Sequence, residues 1–343
     1  MIIVLKPHTT EKGIEAVESH IRELGYDPRV IQGVERTVIG AVGDELSHRS
    51  LETLRGMEEV DSVIPIQKRY KIASREFHPE PSIVEIGGHK MGKGHFQYIA
   101  GPCSVESSEQ MHQTAKDLKE AGVHIMRGGA FKPRTSPYDF QGLGQKGLDI
   151  LQEVKATYDM AIVTEVVGVE HLEATAKVAD MLQIGARNCQ NYHLLKAAAE
   201  VKLPVFLKRG MATRVEEWLA AAEYLMVHGC PDVVLCERGI RTFENATRNT
   251  LDISAVALAK QQSHLPVVVD PSHAAGIQAL VGPLAKASIA AGADGLMIET
   301  HPNPIDALSD AAQQLASGNF KEVMADLQPF LDAAGQSFTQ TVL

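Results

Sequence analysis

Between residues 97 and 300 the chain alternates short, uninterrupted apolar runs with stretches of helical periodicity, and each apolar run closes on a polar residue. The runs are QYIAGPCS, IMRGGAFKPRT, AIVTEVV, MLQIGAR, PVFLKRG, VVLCERG, PVVVDPSH and GLMIETH. Runs without an every-second-residue polar break indicate strands covered on both faces, the condition of a parallel sheet. Helical spacing occupies QMHQTAKDLKEAG, GLDILQEVKATYD, RVEEWLAAAEYLMVHG and TLDISAVALAKQQ; Ser107 with Gln110 has capping-box spacing, and Gly122 and Gly229 sit where helix C-caps belong. Eight strand–helix alternations predict an α/β chain folded as a (β/α)8 TIM barrel over residues 83–343, a fold that collects its chemistry at the C-terminal strand ends.

Residues 1–67 follow another rhythm. Strand-like IIVL, a helical EKGIEAVESHIRELG, strands around RVIQGV and RTVIGAVG, a helix across LSHRSLETLRGM and a strand DSVIPI give the order βαββαβ of a small ferredoxin-like domain. Residues 68–82 mix charge with prolines and read as a linker. IVEIGG and HFQYIA flank the Gly-rich HKMGKG, which predicts a hairpin turning there and plugging the N-terminal end of the barrel.

A length of 343 residues accommodates both units, since such a barrel takes about 250. The net charge of -10 argues against general nucleic-acid binding and makes any cationic cluster more telling. The opening MIIVLKPHTT breaks at Lys6 and Pro7, too early for a signal-peptide core or a membrane span, so a cytoplasmic protein is expected. Four cysteines form no CxxC pair, which leaves ligand or nucleophile as the special roles open to them.

Sorted by chemistry, the run ends fall into two groups. Cys103, His273 and Glu299 close the first, seventh and eighth runs, neighbours once a barrel closes, and Asp310 follows. Thiolate, imidazole and carboxylates together suit a divalent transition metal of the Mn, Fe, Co or Zn class better than Mg or Ca. Singly, each has a plainer reading as a buried cysteine, a turn histidine or a solvated acid. Arg127, Lys132, Arg134, Arg187, Lys208 and Arg238 lie at or just past other run ends, and so many converging cations call for phosphate and carboxylate partners. Arg209 and Arg241 are left as surface or ion-pair residues, and Glu165 as either an orienter of an arginine or a substrate contact. The stretch RGGAFKPRTSPYDFQG has the glycines, prolines and length of an active-site loop, with Lys132, Arg134 and Thr135 able to hold a second phosphate or sugar chain.

Beyond these features, AGPCS, KPRTSPYDFQG, IGARN, LKRG, CERG, DPSHA and IETHPNP, in this order, closely resemble 3-deoxy-D-arabino-heptulosonate 7-phosphate (DAHP) synthases, and REFHPE resembles their class Iβ group with an N-terminal ferredoxin-like regulatory domain. The resemblance implies condensation of phosphoenolpyruvate with erythrose 4-phosphate, opening the shikimate pathway. It implies metal ligation by Cys103, His273, Glu299 and Asp310; Arg127 and Lys132 at the phosphoenolpyruvate carboxylate; Arg187, Lys208 and Arg238 at its phosphate with Glu165 nearby; and Arg134 and Thr135 at erythrose 4-phosphate. Lys132 is either a proton donor to the new alkoxide or only a charge. Feedback by tyrosine or phenylalanine through residues 1–67 and a homodimer or homotetramer are further implications. The rivals are a 3-deoxy-D-manno-octulosonate 8-phosphate synthase, whose loop is of KANRS type where this chain has Lys132 to Ser136, and a non-catalytic, ligand-sensing barrel.

Overall fold

The computed structural model describes residues 1–33, 36–43, 48–64, 69–132 and 136–338. The chain divides into two compact units, Met1–Arg69 and Tyr70–Leu343.

The first unit runs β1 (Ile2–Leu5), α1 (Glu11–Glu23), β2 (Asp27–Gln32), β3 (Thr37–Val42) and β4 (Val60–Ile64), in one sheet of order β2-β3-β1-β4 whose pairs are all antiparallel. Thr10 starts α1 by accepting the Gly13 N–H on its hydroxyl, and Ile14, Val17 and Ile21 place the helix in one core with Ile3, Leu5 and Ile39. The expected second helix is only a 3-10 segment, Leu51–Gly56. Its two buried anchors, Leu51 and Leu54, are three residues apart, the repeat of a 3-10 turn, and Gly56 ends it. The boundary expected at residue 67 lies outside the described residues.

In the second unit β7 (Gln97–Gly101), β8 (Ile125–Arg127), β9 (Ala161–Val166), β10 (Met181–Ile184), β11 (Val205–Lys208), β12 (Val233–Glu237), β13 (Val267–Val269) and β14 (Gly295–His301) are parallel in sequence order, and β14 pairs with β7 to close the barrel. The preceding hairpin is β5 (Ile83–Ile86) and β6 (His89–Gly92). Its turn is Gly87–Gly88, at φ 54° and 85°, not the HKMGKG stretch expected from sequence. Two successive positive φ values suit a two-residue hairpin turn, so HKMG becomes the returning strand and HFQYIA opens the barrel. Val84, Ile86 and Met91 join Ile99, Ile125, Val163 and other inward side chains in one buried cluster, and Gln97 Nε2 donates to Lys90 O (2.9 Å), so the hairpin stoppers the N-terminal end.

The stretch expected as a linker is packed in part. Tyr70 and Ala73 are buried, the Ile72 and Ala73 N–H groups donate to the Glu223 carboxylate (3.0 and 2.9 Å), and Arg75 donates to Lys260 O. Among the described residues, no helix is long and apolar enough to cross a membrane.

Candidate active site

The strand pleat builds the site. Side chains two residues apart point the same way, so the residue two beyond an interior apolar residue also points inward, one layer nearer the C-terminal rim. Ile125, Val163, Met181, Phe206, Cys236, Val268 and Met297 fill the interior. Two positions on stand Arg127, Glu165, Gln183, Lys208, Arg238, Asp270 and Glu299. The counterpart after Ile99 is Gly101, at φ 147°, where a Cβ would fall 2.0 Å from Arg127 O, so the first strand leaves its place in the ring without a side chain.

Cys103, Glu299 and Asp310 offer donor atoms all within 4.8 Å of one another. His273, the fourth expected donor of the quartet, has Nε2 3.4 Å from Glu299 Oε1 and 3.7 Å from Asp310 Oδ2. It rides on a short helix whose N-cap, Asp270, accepts the His273 N–H on Oδ1 (2.9 Å) and faces His273 Nδ1 with Oδ2 (2.7 Å). A carboxylate there fixes the proton on Nδ1 and leaves the Nε2 lone pair toward the other donors, as a metal-binding imidazole requires. Burial holds His273 below its ordinary pKa. Burial, reinforced by Glu299, pushes the Cys103 thiol up, so a cation is what would make it a thiolate. Burial alone would raise Asp270, but His273 and Lys208 hold it well below the carboxylate range. This donor set fits a borderline-soft divalent ion.

Cations face the quartet. Arg127, buried, donates from Nη1 to Glu299 Oε1 (2.6 Å) and Pro102 O (2.9 Å). Lys132 Nζ donates to Cys103 O (3.0 Å) and toward Cys103 Sγ (3.1 Å). Lys208 pairs with Asp270. Arg238 is buried, its Nη1 has no partner among the described residues, and burial lowers its pKa. Arg127, Lys132, Glu165, Arg187, Lys208, Arg238, His273 and Asp310 thus line one cavity of about 280 Å³. Arg134 and Thr135 lie outside the described residues.

One expectation holds here and one changes. Arg209 is the expected ion-pair residue, bonded to Glu237 (2.8 Å) and Asp252 (2.9 Å), but Arg241, though exposed, lines the cavity. Sequence reasoning also missed Gln183, Asp270, Arg248 and Asn249. The two-residue inward step would have found Gln183 and Asp270; Arg248 and Asn249 sit on a loop where no such period operates.

An α/β barrel with a cation-lined rim is the class that fold and site define. Residues 70–332 match the DAHP synthetase I family and residues 1–68 the DAHP synthase ferredoxin-like domain; the chain belongs to the DAHP synthase family. It is 49% identical to the phospho-2-dehydro-3-deoxyheptonate aldolase of Thermotoga maritima, over 98% of this chain and 99% of that one. The crystal structure of a Thermotoga maritima protein of that name superposes with a TM-score of 0.93 at 47% identity, covering 98% of both chains. A truncated form of the Thermotoga maritima synthase covers 79% of this chain and all of its own, with a TM-score of 0.74 at 48% identity. A 2-dehydro-3-deoxyphosphooctonate aldolase of Acidithiobacillus ferrooxidans is 32% identical, over 71% of this chain and 93% of its own.

Proposed function

We propose that the chain condenses phosphoenolpyruvate with erythrose 4-phosphate and water to give DAHP and inorganic phosphate. The carrying observation is one cavity lined by Arg127, Lys208, Arg238, His273 and Asp310, with Cys103 and Glu299 grouped around Asp310, in a chain of this family. Arg187, Lys208 and Arg238 bind the phosphoenolpyruvate phosphate, with Glu165 beside them. Arg127 and Lys132 bind its carboxylate. Arg134 and Thr135 keep the erythrose 4-phosphate role that the resemblance gives them. Cys103, His273, Glu299 and Asp310 would hold one divalent ion of the Mn, Fe, Co or Zn class, which when bound supplies Lewis acidity toward the aldehyde oxygen.

Fixing two mutually repelling anions in one cation-lined cavity supplies the proximity the carbon–carbon step needs. Carbon 3 of phosphoenolpyruvate adds to the aldehyde carbon, water adds at carbon 2, and phosphate leaves the resulting hemiketal to give the ketone. Burial alone would lower the Lys132 ammonium, but the anionic groups around it, Cys103 once it is a thiolate and then Glu299 and Glu165, raise it against the opposing charge of Arg127. Lys132 therefore carries a proton into the cavity and is positioned to give it to the nascent alkoxide.

Phosphate release should be rapid with erythrose 4-phosphate, weak or absent with arabinose 5-phosphate, abolished by a chelator and restored by Mn. Full turnover after exhaustive chelation, with metal content checked, would reject the metal reading, and a preference for arabinose 5-phosphate would reject the substrate reading.

Residues 1–67 we assign to feedback control by tyrosine or phenylalanine, on the match of residues 1–68 to the ferredoxin-like domain; a cytoplasmic dimer or tetramer accords with it. A chain beginning at Tyr70 keeps the Glu223 tether on Ile72 and Ala73. It should retain turnover and lose inhibition by both amino acids. Inhibition curves that superpose on those of the full chain would overturn the assignment.

A further inference from the structure

Gln313 and Gln314, two buried glutamines just past Asp310, have no part in the reaction derived above. Gln313 Nε2 donates to Glu299 Oε2 (2.5 Å) and lies 3.3 Å from Asp310 Oδ2. Its Oε1 accepts from Arg248 Nη1 (2.9 Å), which also pairs with Asp310 Oδ2 (2.9 Å). Gln314 Oε1 accepts the Cys103 N–H (3.2 Å), and its Nε2 donates to Ser309 O (2.8 Å). One amide thus touches two of the donor carboxylates and the next touches the backbone of the thiol.

Asp310 needs such support. It lies outside any strand, at φ 50°, left-handed backbone that is uncommon away from glycine although aspartate is among the residues that enter it. Glu299 and Asp310 also repel each other at this separation. A lysine between them would relieve the repulsion by competing with a bound cation, whereas a neutral amide donates hydrogen bonds and leaves the negative charge available. Arg248, which lines the cavity, is bonded both to this amide and to the Asp310 carboxylate.

We propose that Gln313 is a positioning residue for the cation site: it holds the Glu299 and Asp310 carboxylates toward Cys103 and His273 without being a ligand. This rests on the metal reading above. The test uses the full chain, metal-free, titrated with Co(II), whose bond to Cys103 would give a thiolate charge-transfer band. Gln313→Met keeps the volume and removes both hydrogen-bonding groups; Gln313→Asn keeps the amide but is too short to bridge both carboxylates. The Co(II) dissociation constant should rise about 10- to 100-fold in Gln313→Met, the usual effect of losing a partner that orients a ligand. Gln313→Asn should fall between it and the parent. Inorganic phosphate should bind all three metal-free proteins alike, since Arg187, Lys208 and Arg238, which are assigned to the phosphate, are not among the groups Gln313 bonds.

Variants that bind Co(II) within twofold of the parent overturn the inference, as does an equal loss of phosphate binding, which would indicate general disorder of the rim. If Gln313→Met fails to fold, Gln313→Asn decides, its folding checked by the urea midpoint of the metal-free protein. Absence of the thiolate band in the parent rejects the metal reading itself; a normal band in the parent with unchanged variants rejects only the positioning role.

Discussion

Asp270→Asn is expected to destabilise the metal-free protein by about 3–5 kcal/mol, the range for removing one partner of a buried ion pair. Asp270 is fully buried; its carboxylate pairs with Lys208, itself only 3% exposed, and receives both the Nδ1 side and the backbone N–H of His273. Asparagine keeps the shape but not the charge, so Lys208 is left as an uncompensated buried cation and His273 loses the partner that fixes its tautomer. Urea unfolding gives the loss. Adding Lys208→Met to Asp270→Asn should recover part of it, because the stranded charge is gone, although the imidazole stays unanchored. A loss under about 1 kcal/mol in Asp270→Asn would mean that water reaches Lys208 and the pair is not buried in the energetic sense.

The same geometry explains what could be read without coordinates. Continuous apolar runs announce eight buried parallel strands because a barrel covers both strand faces, and the polar residue at each run end marks the rim. Arg127, Lys208 and Glu299 were thus legible from position alone. Asp270 was within reach too: it stands two residues past the interior Val268 and immediately before Pro271, as the N-cap of a helix with proline at its first position. Gln313 and Arg248 were not. Their work depends on where loops return in space, and loops carry no period to betray it. The second helix of the small unit failed for another reason: a polar stretch with two apolar anchors is compatible with either an α or a 3-10 turn, and packing decides.

Arg238→Met should trade function for stability. Arg238 is buried, its Nη1 lacks a partner among the described residues, and burial lowers its pKa, so the residue is held in place at an energetic disadvantage. An unpartnered buried polar group costs about 1–3 kcal/mol, and methionine fills much of the same volume without it. The variant should therefore unfold at the same urea concentration as the parent or a higher one. Its activity should collapse. A guanidinium reaching a phosphate makes charge-assisted bonds of about 1.5–3 kcal/mol each, so losing two of them corresponds to about 3–6 kcal/mol, or roughly 100- to 10,000-fold in kcat/KM for phosphoenolpyruvate. If the loss lies mainly in KM, Arg238 binds substrate and transition state alike; if mainly in kcat, it grips the phosphate as that group departs. Unchanged kcat/KM would remove Arg238 from the anion site, whereas a large drop in stability would show that its charge has a partner in solution and is not waiting for a substrate.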